Sequence, residues 1–453
     1  MDGVSLAVSV VAVFVIVFGL VYVATLSVLG FAVSRRSGVR VPDQERLLDT
    51  HPFASSDVHG YSFFFLVPAL NEQEVIGGTI AALLRDQPGA TVVVLDDGSD
   101  DDTATIAASH DPARVLVVRR VAPNARLGKG KALNAGLAVI RERVGATGLP
   151  VSKVIVAVMD ADGRMTPNAT AAVADCFIED PSVGGLQLIV RIRNRDNLAL
   201  WFQDMEFFTI SAIGQFGRVP TGSVSLGGNG QFTRLAALDE VGVEPWSESL
   251  TEDLDLGISL SVLGWRTTST PWAYVTQQGV GDLRRLVRQR TRWYQGHMMA
   301  IRRLPELARS RVLPTGRFME MTAYLAMPWV ISLPWSIIQQ YLLVQILIGH
   351  GVPAFRATSV PTRLLLVFLW YVLSFAPHVF WGITYFRRSR SVPLWRALLM
   401  AHLVIPWSYV SHLAVWRALG RIVLRRNAWS KTVREAEDGP GRGGSPVPAD
   451  PVV

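Results

Sequence analysis

The sequence predicts an α/β domain, with a mostly parallel sheet and helices on both faces, joined to α-helical transmembrane segments. Of the 453 residues, 49% are hydrophobic and only 18% are charged, whereas soluble domains have about 25% charged residues. Long apolar segments lie near both ends of the chain. Between them, short apolar runs alternate with helix-period stretches. This βαβα pattern is typical of a parallel sheet covered on both faces.

The first apolar segment, residues 4–33, contains no charged residue and exceeds the ~20 residues that a spanning helix needs. Its start lacks basic residues and the run is too long for a cleaved signal peptide. It is therefore predicted to be a retained anchor. Because Arg35, Arg36 and Arg40 follow it, the positive-inside rule places the N-terminus outside and the following chain in the cytosol.

Three further apolar segments occupy 318–348, 362–386 and 392–416. If each crosses the membrane once, the C-terminal tail lies outside, although it is rich in arginine and lysine. An even number of crossings places the tail in the cytosol and the arginines at 387–390 outside. The tail carries more positive charge, which favours a cytosolic C-terminus, but the number of crossings stays open.

The charge and the cysteine content limit the class of protein. A single cysteine, Cys176, excludes an intramolecular disulfide and is typical of a reducing compartment. The net charge of +7 is compatible with nucleic acid, anionic lipid or phosphate-bearing substrates. Most of the arginine excess flanks apolar segments and no nucleic-acid recognition motif is present. The pattern therefore indicates membrane lipids as a partner and no nucleic acid.

The middle of the chain supplies the predicted sheet. Buried strands are predicted at 61–67, 91–95, 114–118 and 153–159. Helices are predicted near 73–86, 101–109 and 130–144. In sheets of this kind, ligands bind at the carboxyl ends of the strands. Functional residues are therefore expected directly after the strands.

Acidic residues follow two of these strands. Residues 96–102 read DDGSDDD, and Asp160 and Asp162 follow the fourth strand. The Ser and Asp side chains of 99–102 either cap the next helix or belong to the site. Asp160 and Asp162 offer the hard oxygen ligands that Mg²⁺ or Mn²⁺ prefers. Such carboxylates repel one another unless a cation offsets the repulsion.

Three later motifs add cationic and acidic groups. The segment GKGKALN at 128–134 lacks the P-loop spacing, but a lysine at a helix start either neutralises a diphosphate or is simply solvated. TED at 251–253 precedes an amphipathic helix, which also permits a capping interpretation. QRTRW at 289–293 lies in a basic helical stretch, 283–303. That stretch is also typical of a helix on a membrane surface.

In this order, DDGSDD, GKGKALN, DAD, TED and QRTRW resemble the motifs of the family 2 inverting glycosyltransferases. Among these, the chain is similar to membrane-bound processive β-polysaccharide synthases, such as the cellulose, hyaluronan, chitin-oligosaccharide and poly-N-acetylglucosamine synthases. The resemblance covers about residues 60–310. It implies a GT-A nucleotide-sugar-binding domain, a UDP-sugar donor and Mg²⁺ or Mn²⁺ as cofactor.

The resemblance also implies the donor site. The nucleotide-sugar-binding residues are expected to be Ala69, Asn71, Glu72, Asp97, Lys131, Asp160, Gln289, Arg292 and Trp293. Asp97 matches the carboxylate that recognises uridine, and Lys131 matches the basic residue near the phosphates. Asp160 and Asp162 match the metal–diphosphate pair, with Asp162 as the expected direct ligand.

The same resemblance implies the catalytic and acceptor residues. Asp253 matches the general base at the end of TED, with Glu252 beside it as a second catalytic residue. Gly228, Asn229 and Trp293 are expected to border the acceptor. A base that deprotonates the acceptor hydroxyl during attack on the opposite face of the anomeric carbon inverts its configuration.

Three functions are compatible with these residues. The first is transfer of sugar to a growing β-linked polysaccharide, with export of the product and an accessory export subunit left open. The second is single transfer to a lipid such as a diacylglycerol or a polyprenyl phosphate. The third, of another class, is a non-catalytic membrane transport or scaffold protein; intact carboxylates argue against it. A location in the cell (inner) membrane with a cytosolic catalytic domain is expected for the enzymes.

The predicted organisation follows from these segments. The divisions are a transmembrane anchor at 1–36, a linker at 37–59, a GT-A catalytic domain at 60–280, interfacial amphipathic helices at 281–317, transmembrane helices at 318–420, and a basic, then disordered tail at 421–453.

Overall fold

The computed structural model describes residues 3–36, 58, 60–167, 169–348, 359–389 and 391–426. Apart from Val58, the predicted linker lies outside the described residues, as does the tail beyond 426. The predicted anchor is one helix, α1 (Gly3–Arg36).

The predicted parallel strands form one half of a seven-stranded sheet. They are β1 (Ser62–Ala69), β2 (Thr91–Asp96), β3 (Val115–Arg119) and β4 (Val154–Val158). They pair in parallel in the order β3-β2-β1-β4. Each lies within two residues of its predicted position, because runs of β-branched and aromatic residues suit a buried strand. The predicted fold class is confirmed.

The other strands are β5 (Arg164–Met165), β6 (Val183–Gln187), β7 (Ile189–Ile192), β8 (Gln231–Arg234), β9 (Arg266–Thr268) and β10 (Tyr274–Gln277). The large sheet continues from β4 through β8 and β6 to β9, and only β8 runs antiparallel to its neighbours. A second sheet has the order β5-β10-β7. It adds a layer beside the carboxyl end of β4.

Helices cover both faces of the large sheet. One face carries α2 (Ile76–Asp86), α3 (Thr103–Ala108) and α5 (Ala169–Glu179), and the other carries α4 (Lys129–Thr147), α8 (Leu235–Val241) and α9 (Glu252–Val262). Successive residues of β1 alternate between the two cores, with Phe63 and Phe65 in the first and Phe64 and Leu66 in the second. This alternation follows from the pleat of a strand buried on both faces.

Four further helices connect the sheet to the apolar segments. They are α6 (Leu198–Met205), α7 (Ala212–Arg218), α10 (Leu283–Ala300) and α11 (Leu304–Arg309), and a π-helical turn, Glu206–Ser211, joins α6 to α7. The helix α7 packs closely on α1, since a Cβ on Gly30 would lie 2.2 Å from the Ile213 carbonyl oxygen. The anchor is therefore packed against the catalytic domain.

The C-terminal apolar segments are also helical. A π-helical turn, Pro328–Ser332, joins α12 (Thr315–Met327) to α13 (Leu333–Leu347), and α14 (Val360–Arg388) and α15 (Leu394–Val423) follow. Four described segments are long and apolar enough to cross a membrane: Val10–Arg36, Thr315–Gln345, Val360–Arg388 and Leu394–Val423.

Candidate active site

A cavity of about 410 Å³ lies at the carboxyl ends of β1 and β4. Eleven of the fourteen residues predicted for the site line it: Ala69, Glu72, Asp97, Asp160, Gly228, Asn229, Glu252, Asp253, Gln289, Arg292 and Trp293. The other three, Asn71, Lys131 and Asp162, do not line it. The fold therefore brings together residues up to 224 positions apart in the sequence, from 69 to 293.

Asp97 forms one end of the cavity, directly after β2. Its carboxylate pairs with Arg120 and accepts a hydrogen bond from the backbone N–H of Arg126 at 3.0 Å. Burial raises the pKa of Asp97 above its ordinary value, since a low-dielectric environment disfavours the charged form. The two donors hold the carboxylate in one orientation at the cavity wall.

Asn71 shapes the neighbouring loop. Its backbone has φ +52°, a conformation that asparagine tolerates better than most residues. Its N–H donates to Ser99 Oγ at 2.9 Å, and its side-chain oxygen accepts from the Asp100 N–H at 2.9 Å. Asp101 accepts from the Thr103 N–H at 3.0 Å at the start of α3. Asp101, in the acidic run after β2, thus accepts a hydrogen bond from the first residue of α3. This agrees with the interpretation of the run as a helix cap.

Lys129 is the lysine that lines the cavity. Its ammonium lies 2.7 Å from Asp160 Oδ1, 4.0 Å from Glu252 Oε1 and 2.8 Å from the Gly228 carbonyl oxygen. Burial alone would lower the pKa of Lys129, but the charges of Asp160 and Glu252 outweigh it and raise that pKa above its ordinary value. The two carboxylates therefore favour the charged form of the Lys129 ammonium.

Lys131, two residues further along α4, lies outside the cavity. Its ammonium pairs with Glu244 at 2.7 Å and with Glu248 at 3.5 Å. Of these two lysines, Lys129 lines the cavity and Lys131 does not. The side chain of Lys131 instead joins α4 to the loop before α9.

The two aspartates of DAD have different environments. Asp160 lines the cavity, whereas Asp162 is fully buried behind it and accepts a hydrogen bond from the Gln278 N–H at 2.8 Å. Among the residues that the structure describes, no group of three His, Cys, Asp or Glu side chains is arranged to hold a metal ion. Mg²⁺ is nevertheless often bound through one or two carboxylates and completed by substrate phosphates. The oxygen donors at Asp160 fit that mode of binding.

Glu252 and Asp253 start α9 and face the cavity. Burial, together with the charge of Asp253, raises the pKa of Glu252 to about 7, and burial also raises the pKa of Asp253. Asp253 Oδ1 accepts a hydrogen bond from the Leu254 N–H at 2.7 Å. Arg292 donates to the Leu250 carbonyl oxygen at 3.2 Å, so its guanidinium lies beside this segment. These carboxyl groups have the raised pKa values that general bases often show.

The Gly228–Asn229 loop lies between Lys129 and the TED segment. A Cβ on Gly228 would lie 2.6 Å from Lys129 Nζ and 3.3 Å from Asp253 Oδ2. The side chain of Asn229 accepts a hydrogen bond from the Asp160 N–H at 3.2 Å and donates to Gln277 at 2.9 Å. A side chain at position 228 would therefore crowd the Lys129 ammonium.

The opposite end of the cavity is aromatic. Trp293 and Phe207 meet edge to face with ring centroids 6.0 Å apart, and His297 and Tyr324 complete this part of the wall. The His297 ring bonds the Tyr324 carbonyl oxygen at 2.9 Å, and burial lowers the pKa of His297 to about 4. The aromatic rings and the neutral imidazole form this wall, and the Arg290 guanidinium lies 5.2 Å from the centre of the Trp293 ring.

The sequence motifs missed four of these residues: Lys129, Phe207, His297 and Tyr324. The sequence could have indicated Lys129, because it lies in the same GKGKALN motif as Lys131. The other three belong to segments that no motif singled out, the π-helical turn between α6 and α7, the end of α10, and α12. Their position in the cavity depends on tertiary packing.

Comparison with known proteins identifies the family to which this chain belongs. The family described as glycosyltransferase like family 2 matches residues 59–296. This match covers more than half of the chain. The chain therefore belongs to glycosyltransferase family 2, as its motifs predicted.

Two curated relatives illustrate the range of the matches. The chain is 34% identical over 239 residues to a beta-monoglucosyldiacylglycerol synthase from Synechocystis, covering 51% of this chain and 47% of the relative. It is 29% identical over 253 residues to a poly-beta-1,6-N-acetyl-D-glucosamine synthase from Staphylococcus epidermidis, covering 53% and 55%. The chain spans about half the length of the curated relatives it matches.

Solved structures include similar chains at low identity. A mannosyltransferase from Pyrobaculum calidifontis, solved with GDP-Man and Mn²⁺, is 17% identical with a TM-score of 0.49, covering 89% of this chain and all of the other. The first 349 residues of TarS from Staphylococcus aureus are 13% identical with a TM-score of 0.40, covering 83% and 97%.

Proposed function

We propose that this protein is an inverting membrane glycosyltransferase that moves one hexosyl or N-acetylhexosaminyl group from a UDP-sugar to the hydroxyl of a lipid acceptor. The observation that carries the proposal is the two-ended cavity. Its charged end holds Asp97, Lys129 and Asp160, and its aromatic end is built from helices that adjoin the apolar segments. A charged donor and a membrane-borne acceptor require these two environments.

The charged end suits a nucleoside diphosphate sugar. Asp97 is assigned to the uracil ring, with Ala69 and Glu72 beside it. Lys129 and Arg292 supply positive charge for the diphosphate, which leaves with additional negative charge. Preorganised charges of this kind stabilise the transition state more than the ground state.

A divalent cation fits beside Asp160. We assign Asp160 to hold Mg²⁺ or Mn²⁺ together with the diphosphate oxygens, and the second ligand expected from the sequence, Asp162, stays a prediction. When bound, the cation supplies positive charge that offsets the charge of the leaving diphosphate.

Asp253 is assigned as the general base. Its carboxylate takes the proton from the acceptor hydroxyl while that oxygen attacks the anomeric carbon from the face opposite the diphosphate. This single displacement exchanges an α-linkage in the donor for a β-linkage in the product. Glu252 is the neighbouring carboxyl group, and the charge of Asp253 helps to raise its pKa.

The acceptor is assigned to the aromatic end. Trp293, with Gly228 and Asn229, borders the space next to the base, and Phe207 and Tyr324 extend the wall towards the apolar helices. A cavity of about 410 Å³ is within the size range of sites for one small ligand, roughly 300–1,000 Å³. The diacylglycerol in the name of the Synechocystis relative supports a lipid acceptor.

A growing β-linked polysaccharide is the second candidate acceptor. The poly-N-acetylglucosamine synthase relative and the QRTRW motif favour it, and an accessory export subunit is a partner only under this candidate. For either acceptor, we propose an integral protein of the cell membrane with a cytosolic catalytic domain, because Arg35 and Arg36 end the anchor at the domain.

Product analysis tests the proposal. Membranes containing the protein are incubated with labelled UDP-glucose or UDP-N-acetylglucosamine and Mg²⁺ or Mn²⁺, and the products are separated by polarity and size. One discrete labelled lipid is expected. A ladder or a high polymer supports the second candidate, and no transfer from either donor contradicts both.

The matched control is the Asp253→Asn protein. We expect it to lose transfer and to retain UDP-sugar binding, because the amide keeps the shape of the carboxylate without its basicity. Loss of binding as well would contradict the role of Asp253 as base. Activity that a chelator leaves unchanged would contradict the cation assignment.

A further inference from the structure

The last helix, α15, is long and apolar enough to cross a membrane, but it contacts the catalytic domain near its start, middle and end. Near its start, Ala397 and Met400 are fully buried in one apolar cluster with Phe208. In its middle, Trp407 stacks on Phe202 with ring centroids 4.6 Å apart. The indole of Trp407 also donates to Glu206 at 2.9 Å.

The end of α15 contacts the catalytic domain as well. Val415 and Ala418 are buried against Met298 of α10. The guanidinium of Arg421 donates to the Gln295 side-chain oxygen at 2.6 Å. Gln295 in turn donates to the Arg426 carbonyl oxygen at 2.8 Å, just beyond the helix. From 397 to 421 the contacts therefore extend over about 36 Å, at 1.5 Å per residue.

This distance decides whether α15 crosses the bilayer or lies along its surface. The hydrocarbon core of a bilayer is about 30 Å thick. If α15 crossed it, the polar surface formed by the charged Glu206 and Arg290 and the amide of Gln295 would have to follow it across the hydrocarbon. Arg290 pairs with Glu206 there, and charged groups inside the hydrocarbon are costly. A helix that lies along the membrane surface avoids this cost.

The other apolar helices behave differently. The C-terminal part of α14 is buried against the domain at Trp381, Tyr385 and Arg388. The preceding 360–379 stretch extends away from it, with Leu364 and Phe368 60% exposed or more. About 20 residues is the length that a crossing requires. In α15 no comparable stretch is free of the domain among the described residues.

We propose that α15 lies in the plane of the membrane surface beside α10, so that the chain crosses the membrane three times, through α1, through the α12–α13 helix and through α14. The lipid-facing side of α15 is apolar, with Leu399, Leu413 and Trp416 43–57% exposed. In-plane helices of this type lie about 5–10 Å deep at the headgroup boundary.

Contacts with α13 agree with that depth. The Trp416 indole donates to Ser336 Oγ at 2.9 Å, and Ser408 Oγ donates to Gln339 at 3.3 Å. Both partners lie within the first two turns of α13. Both bonds therefore involve the part of α13 that adjoins the π-helical turn, and not its far end.

This arrangement also removes the charge conflict in the sequence. With three crossings, the arginines at 35–36, 387–388 and 417–426 all lie on the side of the catalytic domain. The positive-inside rule is then obeyed by each cluster, whereas a fourth crossing would move 417–426 to the opposite side. The occupant of the exposed apolar side is thus the bilayer surface with its anionic headgroups.

Cysteine labelling in intact cells tests the topology. In a Cys176→Ala background, single cysteines are introduced as Ser359→Cys, Ser391→Cys and Leu424→Cys and probed with a membrane-impermeant maleimide. We expect Ser359→Cys to react in intact cells and the other two only after permeabilisation. Reaction of Leu424→Cys in intact cells would mean that α15 crosses. No reaction of Ser359→Cys in intact cells would contradict the crossing by α12–α13.

A depth measurement gives independent evidence. Spin labels at Leu399→Cys and Leu413→Cys, in purified protein reconstituted into vesicles containing anionic lipid, report the distance of each site from the surface. For an in-plane helix the two depths agree within about 5 Å. A crossing helix separates them by about 21 Å, at 1.5 Å per residue, and that result would overturn the proposal.

Discussion

At the level of single residues, the most informative contrast is between Lys129 and Lys131. Both belong to one short motif at the start of α4, but only Lys129 faces the cavity, where it pairs with Asp160. We expect Lys129→Ala to lower kcat/KM by about 10²–10³-fold, the typical effect of removing one preorganised group that stabilises a transition-state charge. Steady-state kinetics with labelled donor measures it.

Lys131→Ala is the matched control for that substitution. It removes a lysine that pairs with Glu244 and Glu248 outside the cavity, and ion pairs on the surface contribute little to stability. The activity of this variant should stay within about threefold of the wild type. Equal losses in the two variants would show that the cavity does not distinguish the lysines.

The pH profile follows from the carboxyl pair in TED. Because burial raises the pKa of Glu252 to about 7 and that of Asp253 as well, protons bind the pair in a higher pH range than usual. A base must be unprotonated, so kcat/KM should fall at a higher pH than it would with an ordinary exposed aspartate as the base. Because burial is the largest cause of the raised pKa of Asp253, the Glu252→Gln variant should keep a fall of this kind. A fall in the pH range of an ordinary exposed aspartate would contradict this prediction.

How much of the site the sequence predicts depends on the type of element that carries each residue. Strand ends are reliable, because neighbouring parallel strands finish at one edge of the sheet; Asp97 and Asp160 were found in this way. Helix positions are less reliable. Side chains two residues apart on a helix point about 200° away from each other. Lys129 and Lys131 therefore lie on different sides of α4, and a family motif that identifies the segment does not tell which of them faces the cavity.

At the level of elements, the contact between α10 and the TED segment controls the site. Gly296 of α10 approaches Thr251 so closely that a Cβ there would lie 2.5 Å from Thr251 Cγ2. We expect Gly296→Ala to push α10 away from the base and to reduce kcat/KM by about 10²-fold, since displacements near 1 Å have effects of this size. A loss of about 1–3 kcal/mol in stability should accompany it.

Gly145→Ala in α4 is the control for this pair of elements. A Cβ at Gly145 meets no atom within 4 Å, and alanine is favoured over glycine inside a helix by about 0.5–1 kcal/mol. Activity should therefore be unchanged and the melting temperature equal or slightly higher. If Gly296→Ala also leaves activity and melting temperature unchanged, the contact between Gly296 and Thr251 does not position the TED segment.

The sequence predicts long elements better than short ones. The four parallel strands are recognisable as continuous apolar runs, and the helix at 283–300 shows a helical period. The second sheet was not predicted, since β5, β7 and β10 contain only two to four residues, too few to show a period. The orientation of α15 was also beyond the sequence, because crossing and in-plane helices have similar lengths and apolar contents and differ in what they contact.

For the whole molecule, a buried polar cluster joins the anchor to the catalytic domain. Arg218 of α7 pairs with Glu320 of α12 at 2.9 Å and donates to the Tyr22 hydroxyl of α1 at 3.0 Å. The Arg218 guanidinium also lies 3.7 Å from the ring centre of Tyr324, which lines the cavity. Three distant parts of the chain therefore meet at one guanidinium.

Removing this guanidinium should weaken the whole assembly. Arg218→Met leaves the buried Glu320 carboxylate without its cation, although the Tyr22 hydroxyl still donates to it, and breaking a buried ion pair costs about 3–5 kcal/mol. The apparent melting temperature of purified protein in detergent measures the effect. Arg85→Met, which removes an ion pair whose arginine is 70% exposed, should change it little. An equal shift for both variants would contradict a structural role for the cluster.

The support that α15 gives to α10 has a consequence for the timing of biosynthesis. Tyr324 is the last residue of the cavity to leave the ribosome, but the contacts that hold α10 from outside extend to Arg426. At ~5–20 residues per second, the intervening stretch of 102 residues takes roughly 5–20 s to synthesise. During that interval the contacts between α15 and α10 have not yet formed. We therefore expect the contacts that support α10 to be complete only after residue 426 has been synthesised.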